Sequence, residues 1–337
     1  MTVRVGINGF GRIGRNFFRA AKQAGADIDF VAVNDLGSID TMAHLLKYDS
    51  VLGKLPDDVK VVDEGIYVAG DTIKVLQVRD PKELPWGDLG VDVVVESTGF
   101  FTERAKAAAH LEAGAPFVVV SAPSAGADAT FVMGVNDDTF DAATHKVVSN
   151  ASCTTNCFVP LVKVIDDAFG VEQGLMTTVH AYTGDQMLVD GLHKDLRRAR
   201  AAAINIVPTS TGAARATGLV LEAMQGRLDG QSLRVPVPDG SLTDFTGVLA
   251  HDVTADDVND AFKAAAESGP LAAVVDYSDA PLVSSDIVGS PASCTFDSKL
   301  TQAIGNLVKV FGWYDNEWGY SYRLVDLVQV VGAANQG

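Results

Sequence analysis

What the chain has little of narrows its class first. Only three of its 337 residues are cysteine, Cys153, Cys157 and Cys294. So few thiols in so long a chain do not make a disulfide framework, and a reducing cytoplasm is the expected location. Cys153 and Cys157 lie four apart on one expected helix and Cys294 is distant. Soft ligands are therefore too few and wrongly spaced for a structural zinc site, and no metal is expected. No stretch reaches the ~18 consecutive apolar residues of a membrane span, so no membrane association is expected. The opening run Met1-Thr2-Val3-Arg4-Val5-Gly6 goes straight into a strand pattern, which argues against a signal peptide. Positive charge is scarce, with 26 Lys and Arg against 43 Asp and Glu and a net charge of −17. Such a surface repels phosphodiester backbones, so a nucleic-acid partner is disfavoured. An anionic substrate would need basic residues gathered locally against that field. Histidines number six, so few side chains compete for a proton-transfer role near neutral pH.

What is present suggests a two-domain enzyme with ample core, since 47% of the residues are hydrophobic and the length fits two ordinary domains. A strand over 2–8 runs into Gly9-Phe10-Gly11-Arg12-Ile13-Gly14, which is G-x-G-x-x-G opening a helix. A second strand over 28–33 ends in Asn34-Asp35. Glycines at that spacing allow a tight turn and close backbone approach to a pyrophosphate at the helix start. Asp35 falls about 20 residues past the last glycine, where an acid binds ribose hydroxyls. A carboxylate there would repel a 2′-phosphate, and Leu36 adds bulk, so NAD is favoured over NADP. The alternative is a glycine-rich turn with no ligand. A helix over 38–47, a β-meander over 59–79, a strand over 91–96, a helix over 102–110 and a strand over 117–120 follow. This alternation predicts a Rossmann-type parallel sheet over residues 1–150.

Lys146-Val147-Val148 then leads into Ser149-Asn150-Ala151-Ser152-Cys153-Thr154-Thr155-Asn156, and a helix-like run follows from 158. Cys153 falls at that helix's start with Ser152 as its cap. Free N–H groups and the helix dipole there favour a thiolate, and so a nucleophile. A buried core cysteine is the alternative. Beyond it, longer strands and fewer helices predict an α+β domain with a mostly antiparallel sheet over 151–316. His180, near a strand end, is a partner for a thiol or else a hydrogen-bonded core histidine. Two stretches suit anions. Pro208-Thr209-Ser210-Thr211-Gly212 precedes an expected helix over 213–221, and Arg234 follows on a later strand. The loop over 183–203 holds Lys194-Asp195-Leu196-Arg197-Arg198-Ala199-Arg200, either a solvated charge run or a functional segment.

Those motifs, with Ile7-Asn8-Gly9-Phe10-Gly11-Arg12-Ile13-Gly14-Arg15 at one end and Trp313-Tyr314-Asp315-Asn316-Glu317-Trp318-Gly319-Tyr320 at the other, resemble phosphorylating glyceraldehyde-3-phosphate dehydrogenase over essentially the whole chain. The resemblance implies that Cys153 attacks the aldehyde of D-glyceraldehyde 3-phosphate. His180 would act as base, and inorganic phosphate would release the acyl phosphate from a thioester. It implies Thr183, Arg198 and Arg234 around the substrate, with Asp185 as support, and Ser152, Thr154, Thr211 and Gly212 around the attacking phosphate. It implies NAD contacts from Gly9, Arg12, Ile13, Asp35, Arg79, Ser97, Thr98, Ser121 and Asn316. It further implies a homotetramer and a C-terminal helix, 317–337, that completes the NAD-binding domain. Two departures matter. Asp190-Gly191-Leu192-His193 carries Gly-Leu where many NAD-preferring members have Leu-Pro, and Phe158-Val159 is bulkier than usual. Erythrose-4-phosphate dehydrogenase, or a catalytically idle NAD-binding or adhesion protein, are the alternative readings.

Overall fold

The structure, a computed structural model, describes residues 2–335. Residue 1 and the last two positions of the expected 317–337 segment lie outside the described residues. The chain divides into two compact units. The first comprises residues up to Phe131, Asn136–Ala151 and the segment from Ser321 on, and the second comprises Val132–Val135 and Ser152–Tyr320.

The first unit is built on a nine-stranded sheet. Val3–Asn8 lies between Ile28–Asn34 on one side and Val93–Glu96 on the other, all parallel. Phe117–Val120 and Val147–Ser149 extend it in parallel beyond Val93–Glu96. On the far side Asp71–Leu76 pairs parallel with Ile28–Asn34, and Gly65–Val68 and Val59–Val62 complete the expected meander antiparallel to it. Val93–Glu96 and Phe117–Val120 are buried at every position, as strands covered on both faces must be. Gly6 has no side chain because a Cβ there would sit 2.6 Å from the Trp86 ring. The expected helix over 102–110 is instead two pieces, Arg104–Ala107 and Ala109–Glu112. At the Ala108 junction ψ flattens to −16°, and Leu111 N–H bonds back three residues to Ala108, a 3₁₀ tightening that ends the first piece. The helix Trp318–Ala333 buries Leu324, Val325, Leu327, Val328 and Val331, and its Gly332 packs against Val3 of the central strand.

The second unit holds an eight-stranded, mostly antiparallel sheet. Its centre is Val171–Ala181, which pairs parallel with Leu228–Val235 and antiparallel with Ser241–Leu249. Ser241–Leu249 pairs in turn with Leu307–Tyr314. One edge of this sheet therefore gathers the ends of Val171–Ala181, Leu228–Val235 and Leu307–Tyr314 and the start of Ser241–Leu249. The helix Cys153–Phe169 packs on the sheet despite an internal proline, Pro160. Proline inside a helix costs about 3 kcal/mol. Complete burial of Phe158, Leu161, Val162 and Ile165 outweighs it, at roughly 1.5–3 kcal/mol each. The helix expected over 213–221 shrinks to Ala213–Ala216 followed by a 3₁₀ turn, Thr217–Leu219. So short a helix carries little macrodipole, which weakens the dipole part of the anion argument for Thr211 and Gly212.

Two carboxyl groups are buried at that sheet edge. Asp315 accepts N–H bonds from Gly289 (2.8 Å), Glu317 (2.9 Å) and Trp318 (2.6 Å) at the start of the last helix, but burial outweighs them and raises its carboxyl above the ordinary range. Asp239 accepts from Gly240 at 2.9 Å. Burial, with Asp315 and Glu317 nearby, pushes its carboxyl up to about 9, so Asp239 carries the proton at neutral pH. A carboxyl raised on folding contributes stability that is complete below its unfolded value near 4 and erodes as pH climbs toward 9. Asp239→Asn keeps a donor without the titration. Its stability relative to the parent is expected to rise by about 1.4 kcal/mol per pH unit between pH 5 and pH 9 in urea unfolding. An offset independent of pH would contradict the assignment.

Candidate active site

Cys153 is the first residue of the helix Cys153–Phe169. Ser152 precedes it as N-cap, accepting the Thr155 N–H at 3.0 Å, a contact worth about 1 kcal/mol. The Cys153 sulfur lies 3.4 Å from His180 Nε2. His180 Nδ1 sits 2.7 Å from the Ala181 carbonyl. A carbonyl only accepts, so Nδ1 carries the proton and Nε2 faces the sulfur as an acceptor. Register explains the next neighbour, because His180 is the sheet partner of Arg234 on the parallel strand. Arg234 is largely buried. Its Nη1 donates to Thr183 Oγ1 at 2.7 Å, and its Nε is buried without a partner. Thr183 Oγ1 also donates to Asp185. Arg198 donates to Asp185 at 2.6 Å and to Thr209 at 2.9 Å, and Thr209 donates to Asp195 at 2.8 Å. Burial works to raise the Asp185 carboxyl, but Thr183, Arg198 and Arg234 outweigh it and hold it below the ordinary range.

Burial opposes the activated thiolate that the helix start favours. Burial pushes the Cys153 thiol up to about 11, against the pull of Arg234 and the N–H groups of Thr154 and Cys153. Burial, with Arg234 beside it, holds His180 down to about 3. Moving the proton from sulfur to imidazole across that gap costs on the order of 10 kcal/mol. The ion pair so formed returns about 5 kcal/mol at 3.4 Å and an effective dielectric of about 20. The neutral thiol–imidazole pair prevails.

The two expected anion groups differ in how far the structure assembles them. Thr183, Arg198 and Arg234 form one hydrogen-bonded set around Asp185. The second group is less gathered. The Ser152 hydroxyl is committed to its cap. Thr154 is buried and bonds Tyr314 Oη at 2.8 Å. Thr211 accepts from Ala213 N at 3.2 Å within its own turn. Tyr314 also meets Thr178 at 2.8 Å, and its rotation is thereby fixed under the His180 ring. Sequence reasoning gave Tyr314 and Ser241 no role of their own, because sheet register alone makes them neighbours.

In the first unit, Gly9, Asp35, Arg79, Ser97 and Thr98 line one cavity of about 430 Å³, together with Asn8, Gly11, Asn34, Leu36, Val78, Phe100 and Phe101. Each glycine has its own reason. Gly9 has φ +97° and approaches the Ser97–Thr98 peptide, Gly14 abuts the Gly9 carbonyl, and Gly11 faces open space. Asp35 accepts the Phe10 N–H at 2.9 Å. Arg12 and Ile13 begin the helix Arg12–Ala24, but the Arg12 guanidinium grips Asp49 at 3.0 and 3.3 Å. Its backbone, rather than its side chain, is what remains for a phosphate. Ser121 reaches the cavity through Ser97 at 3.0 Å. Thr98 is held by Glu96, which accepts its N–H at 2.8 Å and its hydroxyl at 2.5 Å. Behind it Trp86 donates to His110 Nδ1 at 3.0 Å, which leaves His110 Nε2–H for Glu96 at 2.9 Å. Phe100, 79% exposed, was legible in sequence as an aromatic following Ser97-Thr98-Gly99 and went unremarked. Asn316 belongs to the second unit, where its Oδ1 accepts from Ser241 at 2.6 Å. Among the described residues no group of three His, Cys, Asp or Glu side chains gathers as a metal site would.

Iodoacetamide should modify Cys153 ahead of Cys157 and Cys294, which are both 0% exposed. In the free enzyme the rate should keep climbing above pH 8, because the thiol sits near 11. A rate already level at pH 7 would show a preformed thiolate.

Comparison with known proteins accords with this geometry. Residues 3–104 match the NAD binding domain of glyceraldehyde 3-phosphate dehydrogenase, and residues 152–316 match its C-terminal domain. The glyceraldehyde-3-phosphate dehydrogenase of Streptomyces coelicolor is 60% identical over 98% of this chain and 99% of its own length. Those of Mycobacterium avium and Mycolicibacterium smegmatis are 62% and 61% identical over the same shares. Both domains match in order and the relatives align end to end, and the chain belongs to the glyceraldehyde-3-phosphate dehydrogenase family.

Proposed function

We propose that the protein catalyses the NAD-dependent, phosphorylating oxidation of D-glyceraldehyde 3-phosphate to 1,3-bisphosphoglycerate. The observation that carries this reading is the Cys153–His180 contact of 3.4 Å beside Arg234, whose buried Nε has no protein partner. A buried guanidinium N–H without an acceptor is costly, and an anionic substrate removes that cost. Cys153 attacks the aldehyde carbon while His180 Nε2 takes the thiol proton, giving a thiohemiacetal. His180 and the Cys153 backbone N–H then stabilise the oxygen as it gains charge. The cofactor supplies the hydride acceptor that converts the thiohemiacetal into a thioester. Arg234, Thr183 and Arg198 bind the substrate phosphate. Inorganic phosphate attacks the thioester near Ser152, Thr211 and Gly212, and Cys153 departs as thiolate to recover its proton from His180.

The cavity lined by Gly9, Gly11 and Asp35 suits NAD. Gly11 leaves open space where a side chain would intrude, the start of the helix Arg12–Ala24 offers free N–H groups, and Asp35 suits unphosphorylated ribose hydroxyls. Arg79, Ser97, Thr98 and Ser121 would hold the rest of the dinucleotide, and Asn316 would meet its carboxamide. Residues 1–150 with the segment from 317 on would act as the nucleotide half and 151–316 as the catalytic half, in a cytoplasmic homotetramer. The tetramer is supported by apolar side chains left bare along the 183–206 segment, among them Leu188, Leu192, Leu196 and Ile204. No described helix is long and apolar enough to cross a membrane.

Purified protein with aldehyde, NAD and phosphate should form NADH, and Cys153→Ser should not. NADH formation indifferent to phosphate, or faster with erythrose 4-phosphate, would favour the sister activity instead. Arg234→Ala should lower kcat/KM by the equivalent of about 2–4 kcal/mol through loss of a charged contact. Asp35→Gly should weaken NAD and narrow the gap to NADP. Equal use of both cofactors by the parent would refute the role given to Asp35.

A further inference from the structure

Ser241 is 1% exposed and opens the strand Ser241–Leu249. Its hydroxyl has two neighbours. It accepts the Ala181 N–H at 3.0 Å and lies 2.6 Å from Asn316 Oδ1. One serine thus joins the residue after His180 to the side chain of Asn316. The amide of Asn316 can be oriented from this geometry. A separation of 2.6 Å belongs to an O–H···O bond and is shorter than an N–H···O bond allows. The serine oxygen already receives one N–H, so its own proton goes to the amide oxygen. Oδ1 is fixed on Ser241, and the Nδ2–H₂ group is turned the other way. Among the described residues Nδ2 meets no protein acceptor, so it remains free to donate to a ligand. Register supports the arrangement from behind, because Ser241 is the sheet partner of Tyr314, two residues before Asn316.

We propose that Ser241 is a positioning residue for the cofactor. It locks the Asn316 amide with its nitrogen presented as a donor, and the site selects a pyridine ring substituent by its acceptor oxygen. The proposal rests on the reading of Asn316 as the residue that meets the nicotinamide carboxamide. It carries a specificity consequence. A substituent that offers only a carbonyl oxygen, such as an acetyl group, satisfies Asn316 as well as a carboxamide does. A ring substituent with a weak acceptor in that place does not.

The test uses the full-length enzyme with saturating aldehyde and phosphate. KM and kcat are measured for NAD and for its 3-acetylpyridine analogue in the parent, Ser241→Ala, Ser241→Thr, Asn316→Ala and the Ser241→Ala/Asn316→Ala double variant. Melting temperatures are measured alongside. The expected result is a rise of about five- to tenfold in KM for NAD in Ser241→Ala, with kcat lowered less than about threefold. Ser241→Thr, which keeps the hydroxyl, restores KM to within about twofold. In the Asn316→Ala background the serine substitution changes KM by less than about 1.5-fold, because its effect passes through the amide. The parent uses the acetyl analogue with a KM within about threefold of that for NAD. An unchanged KM in Ser241→Ala overturns the proposal. So does an equal multiple in both backgrounds, since the hydroxyl then serves only the Ala181 backbone. If Asn316→Ala alone leaves KM for NAD unchanged, the placement of Asn316 is wrong and the proposal falls with it. Failure of the parent to form NADH would overturn the functional reading itself.

Discussion

The site depends on one hydrogen bond, from His180 Nδ1 to the Ala181 carbonyl at 2.7 Å. It decides the tautomer, and the tautomer decides that the nitrogen facing Cys153 can take a proton. Were Nδ1 the acceptor, Nε2 would present a proton to a thiol that also carries one, and the pair could start no chemistry. The bond is short-range in sequence but depends on the sheet. Ala181 ends its strand in register with Val235 on one side, and its N–H is held by Ser241, so the carbonyl is fixed in direction.

Around that bond charge runs from a buried interior to an exposed rim, where the Asp185 side chain is 42% exposed. Arg234 is largely buried beside a histidine that burial has made neutral. Asp185 is held ionised near it, and Arg198 closes the set. Buried charge is stable only when paired, and here the pairing is incomplete by one guanidinium N–H. Burial explains the neutral thiol. Helix-start donors and Arg234 favour the thiolate, yet desolvation outweighs them in the free site.

The acidic surface gives this arrangement a second role. A net charge of −17 repels anions at a distance, while Arg234, Arg198 and Thr183 are gathered around Asp185, where the proposed anion site would act at short range. The carboxylates of Asp185 and Asp195 orient the arginine side of that set through Arg198 and Thr209. At the proposed anion site these acids would aim the cations.

Much of this was legible in the chain itself. G-x-G-x-x-G between a strand and a helix, followed by Asp35, determined a nucleotide-binding turn, because glycine geometry and a terminal acid are local properties. The start of a helix at Cys153, capped by Ser152, was local too. Other features were decided only by tertiary structure. Local pattern offered a helix over 213–221, and packing shortened it to one turn. The partner of the Thr154 hydroxyl, Tyr314, lies 160 residues away. The proton on Asp239 comes first from its own burial, with Asp315 and Glu317, far along the chain, brought close to it. Helix position favours a thiolate at Cys153, and burial opposes it. The physical reason is common to all four. Backbone preference and capping act over a few residues and are written in sequence order. Desolvation, charge pairing and side-chain competition depend on which strands become neighbours, and the sheet alone settles that.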